Sequence, residues 1–254
     1  MEITRFAPSP TGHLHIGGAR TALFSFLFAK ANQGKFLLRF EDTDQERSKE
    51  EYVDSILKSL EWMNIKLDSD PVYQSKKIAK HKELAIELYK KGFAYACNCS
   101  EEALTKMREN QIAKKQKPKY NGLNRDANIE FAEGMALRFK FPIEGDSNFK
   151  DLILGDISIN NKEFDDFIIL RSDGTPTYNF SAAVDDMDMK ITTVIRGDDH
   201  ITNTLKQVNV LEALGATIPK YAHLPMVLAE SGKRLSKRDG AEDILDYKKK
   251  GYLN

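Results

Sequence analysis

Cysteine is scarce in this 254-residue chain, with only Cys97 and Cys99, one residue apart. That spacing is too close for an ordinary structural staple, and a reduced, cytoplasmic setting is expected. Net charge is missing too, because 38 Lys and Arg face 38 Asp and Glu. Binding to nucleic acid must therefore come from local basic patches rather than from overall attraction. No apolar run approaches the roughly 20 residues that span a bilayer. The opening MEITRFAPSP lacks the basic segment and apolar core of a secretory signal. Internal repeats and low-complexity segments are also lacking. What is present, 41% hydrophobic and 30% charged residues, suits a soluble globular protein of one large domain or two modest ones.

Residues 3–9, ITRFAPS, read as a short strand ending in a proline-rich turn. From Gly17 the chain runs GGARTALFSFLFAKANQG, with Ala19, Leu23, Phe26, Leu27 and Phe28 mostly at helical spacing and Gly34 as a stop. KFLLRFE, residues 35–41, reads as a largely buried strand. Strand, glycine turn, helix and strand in succession make a βαβ unit, which implies a parallel α/β sheet. Ser48 and Glu51 have the spacing of a capping box before a helix carrying Tyr52, Val53, Ile56, Leu57 and Leu60. Further helices are expected over residues 75–91, closed by Gly92, and after Ser100. The texture then changes. ALRFKFP, FKDLILGDISI, FDDFIILRSDG and PTYNFSAAVDD read as short strands and hairpins, so residues 95–182 are expected to form an α+β insertion. The α/β pattern resumes at Thr192 with strand TTVIRG, helix TNTLKQVNVLEALG and strand HLPMVLAE. A basic loop, SGKRLSKRDG, leads to a last helix, AEDILDYKKKG. The stop soon after Tyr252 and Leu253 suggests a piece cut from a longer chain.

Two stretches carry the chemistry. APSPTGHLHIGGAR, residues 7–20, follows a strand and opens a helix. Helix N-termini offer unpaired N–H groups and partial positive charge, which suit phosphate. Gly17 and Gly18 permit close approach, and His15 can donate to a phosphate oxygen. Taken alone, His-Ile-Gly-Gly reads more readily as a packing turn; its place between a strand and a helix is the context a nucleotide site requires. The second is Lys233-Arg234-Leu235-Ser236-Lys237-Arg238. Its cations can follow a polyphosphate whose charge changes during reaction; a solvated basic loop is the common alternative, but such a loop has no need for the Leu235-Ser236 inside the run.

Together with FLLRFEDTD, PTYNFSAAVDD, VIRGDDHITNT and KRLSKRDGA, the first motif resembles the class I aminoacyl-tRNA synthetases, and among them the glutamyl-tRNA synthetases of bacteria. The motifs occur in the family's order and span almost the whole chain. HIGG ends in Gly18 where many class members have His, a form usual in the glutamate branch. The resemblance implies a Rossmann-like α/β catalytic domain with an inserted α+β acceptor-binding domain. It divides the chain into residues 1–94 and 183–230 as the catalytic halves, 95–182 as the insertion, and 231–254 as the catalytic loop and start of a stem-contact region. An anticodon-binding region would follow beyond this sequence.

The implied reaction activates L-glutamate with ATP and transfers the glutamyl group to the terminal adenosine of tRNA(Glu). His15 and Lys237 would stabilise the reacting phosphates, with Gly17, Gly18, Asp199 and Lys233 completing the ATP site. The resemblance puts Arg5, Ala7, Ser9, Glu41, Tyr178 and Arg196 around glutamate, where guanidinium forks suit a carboxylate. Arg196 reads equally as a structural partner of Asp198 or Asp199, and Tyr178 as core. Mg²⁺ is expected with ATP, held by phosphates and water. Some relatives bind zinc through a Cys-x-Cys pair, but Asn124 stands where such a relative has cysteine, so zinc is not expected. Lys114 to Tyr120 is a candidate patch for the tRNA backbone, or else an exposed polar loop. No membrane partner and a monomer are expected. The alternatives are a glutamyl-queuosine tRNA(Asp) synthetase and a non-catalytic paralogue that binds glutamate, ATP or RNA.

Overall fold

The computed structural model describes residues 1–44, 46–228, 232 and 242–253. Its first unit is β1 (Ile3–Phe6), α1 (Ile16–Ala31) and β2 (Lys35–Phe40), with β1 and β2 parallel and Ile3 opposite Lys35. The face of α1 turned to the sheet is lined by Ala19, Ala22, Ser25 and Ala29. These small residues let helix and sheet approach closely, and Thr4 Oγ1 donates to Ser25 O at 2.8 Å. Leu27, expected among the inward residues, is half exposed. Leu23 and Phe26 pack at the flank.

Helix α2 (Glu50–Trp62) follows. The expected capping box does not form, because Lys49 is the N-cap and no side chain caps the helix. Strand β3 (Val72–Tyr73) extends the first sheet beside β2. A 3₁₀ turn, Gln74–Lys77, leads into α3 (Ile78–Lys90), and Gly92 at φ 81° ends it. Next come β4 (Ala94–Cys97) and α4 (Glu101–Ala113), the latter capped by Ser100 and without a buried residue.

Strand β5 (Ala136–Phe139) pairs antiparallel with β4 and with β8 (Ile168–Leu170). Between them lies the hairpin β6 (Asp146–Asp151) and β7 (Gly155–Asn160). PTYNFSAAVDD, read above as strand, is instead largely helix: α5 spans Tyr178–Asp188. Phe180, Ala183 and Val184 enter the core from it at three- and four-residue steps.

Strand β9 (Thr193–Gly197), α6 (Ile201–Ala213) and β10 (Lys220–Leu224) complete a parallel pair with a crossover. The last strand was expected at HLPMVLAE but ends at Leu224, where Pro225 removes the next ladder donor. Hairpin strand β6 joins β10, giving the order β7-β6-β10-β9. A short α7 (Ile244–Lys249), capped by Asp243, packs on α2.

Strands β1 and β9 belong to separate ladders but start side by side. Thr192 N–H donates to Ile3 O at 2.9 Å. Glu2 accepts from Thr192 Oγ1 at 2.6 Å and Thr193 Oγ1 at 2.8 Å and reaches Lys220 Nζ at 2.5 Å. These bonds, led by Lys220, hold its carboxyl down at about 2. One core lies around α1, β2 and α2, the other around α3, α5, α6 and β5. Toward their carboxyl ends β1 and β9 flank a crevice, the place where open α/β sheets bind ligands.

Candidate active site

A cavity of about 220 Å³ opens there. Its wall on the β1 side is a buried charge network. Arg5 donates from Nε and Nη2 to the two oxygens of Asp186, at 2.9 and 3.2 Å. Arg39, fully buried on β2, reaches Asp186 Oδ1 at 2.6 Å and Glu41 Oε1 at 3.1 Å. Burial opposes the Asp186 charge, but Arg39 and Arg5 outweigh it and hold the carboxyl at about 2. Burial dominates at Glu41 and raises its carboxyl above the usual range despite Arg39. An ammonium beside Glu41 would restore the balance in favour of its charged form.

The wall on the β9 side is different. Arg196 Nη2 donates to Thr204 Oγ1 at 2.6 Å, and Nε approaches His223 Nε2 at 3.4 Å. Its Nη1 is buried without a hydrogen-bond partner. A buried guanidinium nitrogen left in this state is costly unless something fills the place in front of it. Tyr178, at the start of α5, brings its hydroxyl to 3.3 Å from His200 Nδ1. Burial and then the Arg196 charge pull the His200 imidazole down to about 4, with Asp199 opposing. A Cβ at Gly197 would meet Asp199 Oδ1 at 2.6 Å, so a side chain there would displace the Asp199 carboxylate.

The roof is the first turn of α1. His15 is its N-cap, and Nδ1 accepts from Gly17 N at 3.2 Å and Gly18 N at 3.4 Å. An accepting Nδ1 puts the proton of a neutral ring on Nε2. Gly18 leaves room for Leu14, whose Cδ1 would lie 2.8 Å from an added Cβ.

Arg5, Ala7, His15, Gly17, Gly18, Glu41, Tyr178, Arg196 and Asp199 thus line one cavity. Ser9 is exposed and is not among its lining residues. Lys233 and Lys237 lie outside the described residues. Sequence reasoning missed Arg20 and Thr21 on α1, which also line the cavity. It also missed Asp186, Arg39, Thr204 and His223 behind the wall. The acid pair in AVDDMD was a usable signal for Asp186, because acids within an apolar run are seldom buried without a partner.

Away from the cavity, Cys97 is buried and Cys99 lies 2.9 Å from Asn124 Oδ1. Burial opposes ionisation of Cys97, but Arg138 Nε at 3.3 Å lowers its pKa overall. Among the described residues no cluster of three or more His, Cys, Asp or Glu could hold a metal ion. In the basic patch, Lys117 pairs with Glu163 at 2.9 Å and Lys119 donates to Lys162 O at 2.9 Å. Tyr120 is buried beneath Arg138, leaving Lys114 and Lys115 as the exposed cations not bonded in this way.

Comparison with known proteins gives a consistent match. The family described as class I tRNA synthetases (E and Q), catalytic domain, matches residues 3–254. A glutamate–tRNA ligase 1 of Coxiella burnetii is 56% identical over 251 residues, 98% of this chain and 54% of the relative. The glutamate–tRNA ligase of Nitrosospira multiformis is 52% identical over 252 residues, again 98% of this chain and 54% of the relative. The chain therefore spans about half the length of these curated relatives. The crystal structure of a glutamate tRNA ligase from Elizabethkingia meningosepticum, in complex with its amino acid, superposes with a TM-score of 0.86. It is 36% identical and covers 94% of this chain and 52% of that one.

Proposed function

Since the chain belongs to the class I glutamyl- and glutaminyl-tRNA synthetase family, as its catalytic domain, we propose that it forms glutamyl-adenylate from L-glutamate and ATP. It then passes the glutamyl group to tRNA(Glu), in the cytoplasm. In the first step a glutamate α-carboxylate oxygen attacks the α-phosphorus, and the bond to pyrophosphate breaks. In the second a ribose hydroxyl of the terminal adenosine attacks the activated carbonyl and AMP leaves. Neither step needs a covalent enzyme nucleophile, so alignment and charge stabilisation carry the acceleration.

The observation that carries the reading is the buried, unpartnered Nη1 of Arg196, a residue that lines a cavity roofed by a glycine-opened helix. Arg196 takes the glutamate side-chain carboxylate, with Arg5 beside it, and Glu41 takes the ammonium. Tyr178 and Ala7 bound the pocket. His15, with its proton on Nε2, donates to phosphate, and Gly17, Gly18 and Asp199 border the nucleotide. Lys233 and Lys237 supply cations from their loop. Mg²⁺ neutralises phosphate charge when it arrives with ATP, and no protein ligand is assigned to it. Residues 95–182, with Lys114 and Lys115, receive the acceptor end of tRNA.

Pyrophosphate exchange with glutamate or glutamine, each with and without tRNA(Glu), tests this. Glutamate-dependent exchange that falls at least 100-fold in Lys237→Ala, with Tm unchanged, is expected for loss of a phosphate-stabilising cation. Exchange by Lys237→Ala at the level of the unaltered chain would overturn it.

A further inference from the structure

Behind Arg196 runs a chain of buried polar side chains that the reaction above does not use. Asp151 ends β6 and is only 2% exposed. Oδ1 accepts from the N–H groups of Ile153 at 2.9 Å and Leu154 at 3.0 Å. Oδ2 lies 2.6 Å from His223 Nδ1 and accepts from His223 N–H at 3.1 Å. On the far side of the ring, His223 Nε2 lies 2.9 Å from Thr204 Oγ1, and that oxygen accepts from Arg196 Nη2 at 2.6 Å. His223 and Thr204 are fully buried.

We propose that Asp151, His223 and Thr204 are positioning residues which lock the Arg196 guanidinium so that Nη1 points to the glutamate side-chain carboxylate. The direction of every proton follows from the partners. A carboxylate accepts, so His223 donates to it from Nδ1, and Nε2 is left as an acceptor. Thr204 then donates its single proton to Nε2; its other acceptor, His200 O, is farther away at 3.2 Å. With that proton committed, Thr204 Oγ1 presents a lone pair to Arg196. Reversing any one bond would set donor against donor or acceptor against acceptor, so the chain has one low-energy orientation. Its members between Arg196 and Asp151 are neutral. They fix the fork without cancelling its charge, which a carboxylate in direct contact would do. The anchor is the hairpin β6–β7, so a residue outside the two catalytic strands sets the geometry of the pocket.

This inference rests on Arg196 binding glutamate, and the experiment separates the two. Glutamate and ATP KM are measured by pyrophosphate exchange with tRNA(Glu) present, alongside Tm, for the unaltered chain and for Thr204→Val, Thr204→Ser, His223→Gln and His223→Asn. Thr204→Val is expected to raise the glutamate KM at least tenfold while ATP KM stays within twofold. Thr204→Ser restores the hydroxyl and most of the affinity. His223→Gln, which can present an acceptor near the Nε2 position, should retain more glutamate affinity than His223→Asn. If the His223 variants fail to fold, the Thr204 pair decides. A glutamate KM unchanged in Thr204→Val, or glutamate and ATP parameters falling together, overturns the positioning role alone. An unaltered chain that does not use glutamate overturns the proposed function and this inference with it.

Discussion

Two of the arginines that line the cavity, Arg5 and Arg196, are bonded in opposite ways. Arg5 gives two hydrogen bonds to Asp186, which also receives Arg39. Its charge is balanced inside the protein, and it helps build the wall. Arg196 is bonded to Thr204 and His223, and burial keeps His223 below its ordinary pKa and so uncharged near neutrality. Its charge is held in place but not matched by a bonded carboxylate. One residue type therefore does two jobs, decided by whether the partner behind it is charged. A pocket for an anionic side chain needs the second kind, and a rigid wall needs the first.

The largest effects should divide along that line. Arg196→Met removes the unmatched cation, and glutamate binding should weaken by about 2–5 kcal/mol, the usual cost of truncating one partner of a buried charge pair. Stability should change by less than about 1 kcal/mol, because no buried carboxylate is stranded. Arg5→Met strands part of Asp186 and should destabilise the fold by about 3 kcal/mol, at the low end because Arg39 remains bonded. Glutamate titration calorimetry and urea unfolding on both variants read the contrast. Equal stability losses, with glutamate binding intact in Arg196→Met, would erase the distinction between the two.

Gly18→Ala extends the comparison to the roof, which relies on close packing and one imidazole cap. Alanine gains about 1 kcal/mol of helix propensity over glycine. Against that, its Cβ would sit 2.8 Å from Leu14 Cδ1, and Leu14 is buried. Overpacking of this kind costs about 1–3 kcal/mol. A net loss of about 1 kcal/mol is expected in urea unfolding, with ATP KM raised more than glutamate KM. A more stable variant would show that the first turn of α1 relaxes freely, unlike the charged walls.

The sequence disclosed the roof far better than what stands behind the walls. His15, Gly17 and Gly18 sit in one short stretch between a strand and a helix, and local pattern is enough to find them. Pro-Thr-Tyr-Asn-Phe holds β-formers and reads as a strand around Tyr178; the helix wins since Phe180, Ala183 and Val184 bury together. The spacing puts a side-chain cap at Ser48, but the N-cap position falls one residue later at Lys49 and no side chain caps the helix, since local pattern places helix ends only to within a residue or two. Asp186 is 181 residues from Arg5 and Asp151 is 72 from His223. No periodicity links residues so far apart, and only the fold brings them together. Ser9 lies within the same short motif as Arg5 and Ala7, yet it is exposed and does not line the cavity as they do.

The smallest expected effect follows from the unmatched charge itself. His200 sits beside Arg196, and burial together with that charge lowers its imidazole from the ordinary value near 6.5 to about 4. Between those two values the unfolded chain takes up a proton that the folded protein refuses. The unfolded state then binds more protons, so stability falls as pH drops from 6.5 to 4 and levels off below. The His200 side chain is 35% exposed, so solvent screening reduces the contribution to on the order of 1 kcal/mol. His223, also lowered by burial, contributes in the same direction, so the informative quantity is a difference between variants. Urea unfolding at pH 4 and pH 7 should show a shallower dependence in His200→Asn than in the unaltered chain. Arg196→Met should fall between them, because it removes the charge but leaves the burial. If Arg196→Met keeps the full slope, the Arg196 charge is screened at His200, and the two walls differ less in field than in bonding.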